Sequence, residues 1–112
     1  MVWFMAVLMF VHGLIHLMGG LNELGLARIQ GLSGKTLIAL PNYAQMALGV
    51  SWFVPVVLFI LCAVALVLRL PWWKPATLCA LLVSQALIVI WWPDAKFGTI
   101  PNALILLGLF FL

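Results

Sequence analysis

The sequence predicts an all-α integral membrane domain: a bundle of four transmembrane helices with an interfacial connector between helices 1 and 2. Three observations carry that expectation. Of 112 residues, 68% are hydrophobic and 6% charged, and the mean hydropathy is +1.34, far from the roughly half-apolar, quarter-charged usage of soluble domains. The apolar residues fall into four long runs, and a helix needs about 20 of them to cross a hydrocarbon layer about 30 Å thick. Prolines, glycines and tryptophans stand between the runs, where a membrane surface places turns and aromatic anchors. A water-soluble fold this small has no interior large enough to hide so much apolar surface.

The first run covers residues 2–21 and is interrupted only by His12 and His16. It lacks the charged start of a signal peptide, and Gly19-Gly20-Leu21-Asn22 is a poor cleavage site, so it reads as a retained helix. Residues 21–40 mix Asn22, Glu23, Arg28, Gln30, Ser33 and Lys35 with Gly25, Gly31 and Gly34. That composition suits a connector lying in the interface, with room for a short amphipathic helix. Pro41 and Asn42 open a second helix over 42–68, which is longer than a perpendicular span and so expected to tilt. Pro55 should kink it. Arg69-Leu70-Pro71-Trp72-Trp73-Lys74-Pro75 reads as a tight aromatic hinge at the surface.

The third helix is expected over 76–92, ending at Trp91-Trp92-Pro93. Residues 94–98 turn the chain, and Thr99, as cap, with Pro101 in the first turn starts the fourth run, 99–112. That run is somewhat short for a full crossing. No lipidation signal, repeat or low-complexity tract divides the chain, which reads as one domain over 1–112. Trp3, Trp72, Trp73, Trp91 and Trp92 fit interfacial belts, with Trp52 the less conventional one. Gly13, Gly19, Gly20, Gly49 and Gly108 mark expected close helix contacts.

The net charge of +3 comes from five Lys and Arg against two acids. The basic residues are scattered singly, which gives nucleic-acid binding no support. Cys62 and Cys79 sit in apolar runs without metal-ligand spacing and read as small packing residues. Arg69 and Lys74 bracket the short hinge, whereas Lys35 lies in a longer connector and Lys96 has Asp94 beside it. That difference favours cytoplasmic termini.

Four crossings put the first and third loops on one face. On that map His16, Gln45, Gln85 and Asn102 share one half of the membrane, and Asn22, Glu23, Arg28, Asp94 and Lys96 cover it from the loops. His12 and His16 are the sharpest feature, since a spacing of i and i+4 places both on one helix face about 6 Å apart along the axis. Buried imidazoles need partners. One reading makes them ligands of a haem, a chlorophyll-type pigment or a metal, or a proton relay to a quinone, with Gln45, Gln85 and Asn102 around them. The plainer reading has each imidazole bonded across helices to Gln45, Ser84, Gln85 or Asn102. Glu23 is expected to pair at the surface with Arg28 or Lys35, the alternative being a turn inward toward His16. Asp94 and Lys96 read either as an interfacial ion pair or as the lid of a polar pocket. No catalytic triad, phosphate loop or pair of intramembrane carboxylates can be assembled, so an autonomous enzyme has no support.

At Phe10-Val11-His12-Gly13-Leu14-Ile15-His16-Leu17-Met18-Gly19 the chain resembles the first helix of DoxX-like bacterial membrane proteins, with a histidine where those often carry lysine. Together with Ser84-Gln85-Ala86-Leu87-Ile88 and Asp94-Ala95-Lys96-Phe97-Gly98-Thr99-Ile100-Pro101-Asn102, that motif is similar to an uncharacterised family of small bacterial four-helix membrane proteins. The resemblance implies a bundle in the bacterial inner membrane and, through the DoxX-like relatives, a role beside quinone-linked oxidoreductases. The function expected first is a non-catalytic accessory subunit of a larger respiratory or photosynthetic complex, with lipid and other membrane subunits as partners. A His-based haem, pigment or quinone site is the second expectation, and a small transporter or channel the third.

Overall fold

The computed structural model describes residues 1–112 and is helical without strands. The helices are α1 (Val2–Glu23), α2 (Asn42–Val50), α3 (Phe53–Val67), α4 (Trp73–Ile90), α5 (Trp92–Ala95) and α6 (Thr99–Phe111), with one 3-10 turn over Lys96–Gly98. Four spans are long and apolar enough to cross a membrane: Val2–Glu23, Asn42–Val67, Trp73–Ile90 and Trp92–Phe111. The molecule measures 42 × 22 × 22 Å, a length that matches a bilayer of about 40–45 Å with its headgroups.

The second expected helix is two. Pro55 has no N–H, so the carbonyl of Ser51 loses its helical partner, and the proline ring crowds that same carbonyl. The regular bonding is interrupted there for two residues that keep helical dihedrals: the Ser51 carbonyl accepts the Val54 N–H at 3.1 Å in a shorter 3-10 loop, and α3 restarts at Phe53 with Pro55 in its first turn, so α2 and α3 together form one span. Pro93 acts similarly at the end of α4, and residues 94–98, expected as a turn, fall in α5 and the 3-10 turn. Helix α4 begins three positions earlier than the expected 76, at Trp73. Thr99 is already helical and Gly98 occupies the cap position. The connector forms turns without a helix.

Arg69 closes α3 with φ 57°, the left-handed conformation glycine usually supplies. Leu70 N–H bonds the Ala65 carbonyl at 2.8 Å and Arg69 N–H the Leu66 carbonyl at 3.1 Å, so the last carbonyls are satisfied before the hinge.

Helix α1 packs chiefly on α3, α3 on α4, and α6 on both α4 and α1. In lipid, apolar contact alone does not drive helices together, and close approach through small residues does. At Gly13 an added Cβ would lie 3.0 Å from Phe59 Cβ and 3.4 Å from the Val56 carbonyl oxygen, so α1 and α3 meet almost backbone to side-chain root. Gly19, Gly20, Gly49 and Gly108 likewise back onto Trp52, Phe53, Glu23 and Met5. The main apolar core joins Met5, Met9, Phe59, Cys62, Ala80 and Ile105, in the half of the bundle nearer the chain termini. Cys62 is buried there, Cys79 faces outward, and both are free thiols. The outer surface is lined by exposed large apolar side chains such as Phe4, Leu82 and Phe110, which require a lipid environment.

Candidate functional site

The other half of the bundle, toward the connector, is polar inside. His12, His16, Ser84 and Asn102 are all buried, on α1, α4 and the first turn of α6. Helical spacing puts the two imidazoles on one face of α1, and their ring centroids lie 4.5 Å apart, edge to face. Phe59 of α3 stands against both rings, at 5.1 and 5.7 Å.

The hydrogen bonds form one consistent arrangement of the ring protons. His16 Nδ1 is 2.7 Å from the carbonyl oxygen of His12, which can only accept, so Nδ1 carries the hydrogen. In the neutral ring Nε2 is then an acceptor, and the Ser84 hydroxyl, 2.7 Å away, donates to it. With its one proton spent, Ser84 Oγ accepts from Asn102 Nδ2 at 3.0 Å, and it also lies 3.2 Å from Asn102 Oδ1. In this orientation of the Asn102 amide, Oδ1 accepts from His12 Nε2–H at 2.7 Å. Asn102 Nδ2 also donates to Gln85 Oε1 at 3.1 Å, and Gln85 Nε2 donates to Thr99 Oγ1 at 3.0 Å. His12 Nδ1 is left as a bare lone pair, buried and without a partner.

A second network closes the connector end. Glu23 does not meet Arg28 or Lys35. Its carboxylate accepts from Trp91 Nε1 at 2.7 Å and from Gln45 Nε2 at 3.1 Å, because the last turn of α1 lies beside α2 and the end of α4. The expected surface ion pair is thus replaced by neutral donors deeper in the bundle. Gln45 also donates to the Gly34 carbonyl at 2.6 Å, so it belongs with Glu23 and the connector and not with the imidazoles. Asp94 accepts from Ser33 N–H and Oγ–H at 3.0 and 2.8 Å and from Gly34 N–H at 2.8 Å. Lys96 takes no part: its ammonium lies 5.6 Å over the Phe97 ring.

Between the two networks lies a cavity of about 220 Å³, walled by α1, the start of α3, the end of α4, α5 and the 3-10 turn, with Leu32 of the connector across it. His12, His16, Glu23, Trp52, Trp91, Asp94 and Gly98 all contribute to the wall. Trp52 Nε1–H is the second buried polar group without a partner. Gly98 packs closely on Ile88, since a Cβ there would stand 2.9 Å from Ile88 Cδ1, with His12 Cε1 at 3.9 Å.

Of the residues singled out from sequence, His12, His16, Gln85 and Asn102 converge, Glu23 and Asp94 border the same cavity, and Gln45 and Lys96 stand apart from the imidazoles. Sequence reading gave Ser84 only as one bond partner among several, yet it joins His16 to Asn102, which bonds His12 directly. It assigned Trp91 to an interfacial belt, whereas Trp91 is 2% exposed and spends its N–H on Glu23. Trp52, within an apolar run, carried the one available signal of a tryptophan facing inward.

Three of the four imidazole nitrogens are engaged inside the protein, which leaves one for any ligand. No three His, Cys, Asp or Glu side chains gather at metal-binding distance. A pair of axial histidines for haem, or a protein-only metal site, does not fit this donor set. No family model matches the chain, and no curated protein or solved structure is similar to it.

Proposed function

We propose that this chain is a membrane-embedded binding protein for a small aromatic molecule of the quinone class, held beside His12 in the cavity at the connector end. The observation that carries the reading is that His12 and Trp52, each with a buried side-chain nitrogen that has no partner, both belong to the wall of one cavity. Leaving a buried group unsatisfied costs about 1–3 kcal/mol, and a ligand whose entry shifts the wall enough to bond one of them removes that cost. The cavity lies below the range of about 300–1,000 Å³ typical of drug-sized ligands, which suits a single ring whose tail runs into lipid. Under this proposal the bilayer is the bacterial inner membrane with cytoplasmic termini, and the protein serves quinone-linked oxidoreductases, as the resemblance to DoxX-like proteins implies.

Trp52 and Trp91 make the test direct. With the protein in lipid nanodiscs, a short-tailed benzoquinone, titrated as quinone and as hydroquinone, should quench tryptophan emission to saturation. Ile88→Phe, which enlarges a side chain of the cavity wall, should abolish the saturable part while helix content stays unchanged. Quenching that rises linearly with probe in both proteins would contradict the proposal.

An accessory-subunit role has one supporting observation. The span containing α6 is only 17% buried, against 33–44% for the other three, so α6 offers the widest free face for a larger membrane partner. Crosslinking from α6 positions in native membranes tests this, and a chain that crosslinks only to lipid would contradict it.

A further inference from the structure

Helices α1 and α3 enclose a second hollow, a groove of about 270 Å³ on the outside of the bundle in the half nearer the termini, and every residue that lines it is apolar. Ala6 and Ala63, 5% and 6% exposed, form its floor, because neither side chain reaches past Cβ. Phe10 and Val64 stand along its rims, and Trp3 and Leu68 at its hinge end, all four exposed. Atoms that line an unfilled hollow forfeit dispersion contacts, and the solvent on that side of the helices is hydrocarbon. A lipid tail laid in the groove touches both helices at once.

The hinge end of the groove carries charge. Arg69 follows Leu68 directly and is exposed. Its φ of 57° is a conformation that glycine adopts without strain, so the turn itself gives no reason for a cation there. Ion pairing gives none either. The chain has two acidic residues, Glu23 and Asp94, and both are engaged by protein donors at the opposite end of the bundle. Lys74, on the same hinge, already lies 5.7 Å over the Trp73 ring.

We propose that the groove and Arg69 together hold one anionic phospholipid, with a tail between α1 and α3 and the phosphate on the guanidinium. Arginine suits that role because its planar fork bonds two phosphate oxygens at once. Trp3, 70% exposed beside the mouth, supplies an amphipathic ring of the kind that settles among headgroups. A zwitterionic lipid offers the same tail, but its own cation offsets the phosphate, so the preference is for net negative charge. The site lies at the other end of the bundle from His12 and does not depend on what binds there.

Native mass spectrometry of the full chain, released from nanodiscs of phosphatidylglycerol and phosphatidylcholine with identical tails, counts the lipids that stay bound. Phosphatidylglycerol should be retained in about fivefold preference, the factor that one basic residue near a membrane surface supplies. Arg69→Gln keeps the backbone and removes the charge, and should bring that preference to about onefold. Lys74→Gln should leave most of it. Val64→Phe, at an exposed position on the rim, should lose the retained lipid of either class by filling the groove. Glycerol phosphate, a headgroup without tails, should displace nothing. Equal retention of the two lipids, a preference that survives Arg69→Gln, or unchanged retention in Val64→Phe overturns the proposal. So does displacement by glycerol phosphate, or a lipid-free dimer, which would give the groove to a second copy.

Discussion

The two halves of this bundle are held by different forces. Toward the termini, Met9, Phe59, Cys62, Ala80 and Ile105 pack at 0% exposure, and the buried hydroxyl among them, Thr77, turns back to the Trp73 carbonyl of its own helix at 2.6 Å. Toward the connector, helices are joined by side-chain bonds that cross from α1 to α4 and α6. The apolar half gains from dispersion between close-packed atoms. The polar half gains direction: its bonds tie named side chains across three helices, and two of its residues, His12 and Trp52, keep a buried nitrogen without a partner beside a cavity. That difference is why the proposed function is placed in the polar half.

The largest effect should come from the residue that serves both halves. Phe59→Ala removes a fully buried ring that supports both imidazoles, and should cost about 3–5 kcal/mol in detergent unfolding assays. A loss under 1 kcal/mol would show that the halves do not share a core. Asn102→Leu should cost about 2 kcal/mol, since it strips several intramembrane bonds that average about 0.6 kcal/mol each and leaves His12 Nε2–H orphaned. A neutral result there would dissolve the distinction between the halves.

Asp94→Asn keeps the shape but weakens three charge-assisted bonds, so the connector should loosen by about 1 kcal/mol. Hydrogen exchange at Ser33 and Gly34 reads this directly, and unchanged protection would remove Asp94 from its role. The smallest effect lies at the hinge of the apolar half. Arg69→Gly relieves a left-handed residue and should stabilise by about 0.5–1 kcal/mol. Destabilisation instead would mean that the arginine head contributes more than its backbone costs.

The four spans were legible because lipid imposes a length on any apolar run. Pro55 signalled a disturbance but not its form, since whether a proline bends or breaks a helix depends on what packs beside it. Depth was legible as well: His16, Gln85 and Asn102 lie in the half where the turns place them. Depth is only one coordinate, and the direction a side chain takes around its helix axis is set by neighbours distant in sequence. Gln45 lies at the expected depth yet faces Glu23 and Gly34, and Glu23 turns inward because Trp91, 68 positions away, supplies an N–H. The connector's path was illegible for the same reason, being fixed by Asp94 of α5.

Nitrogen-15 NMR of labelled histidine in lipid bilayers, without added ligand, tests the central claim most directly. The chain of bonds from the His12 carbonyl to Asn102 requires His16 to be protonated at Nδ1 and His12 at Nε2, with His12 Nδ1 in the unprotonated range. A His12 signal showing hydrogen on Nδ1 would contradict the account, because the Asn102 amide would then be turned to donate to His12 Nε2.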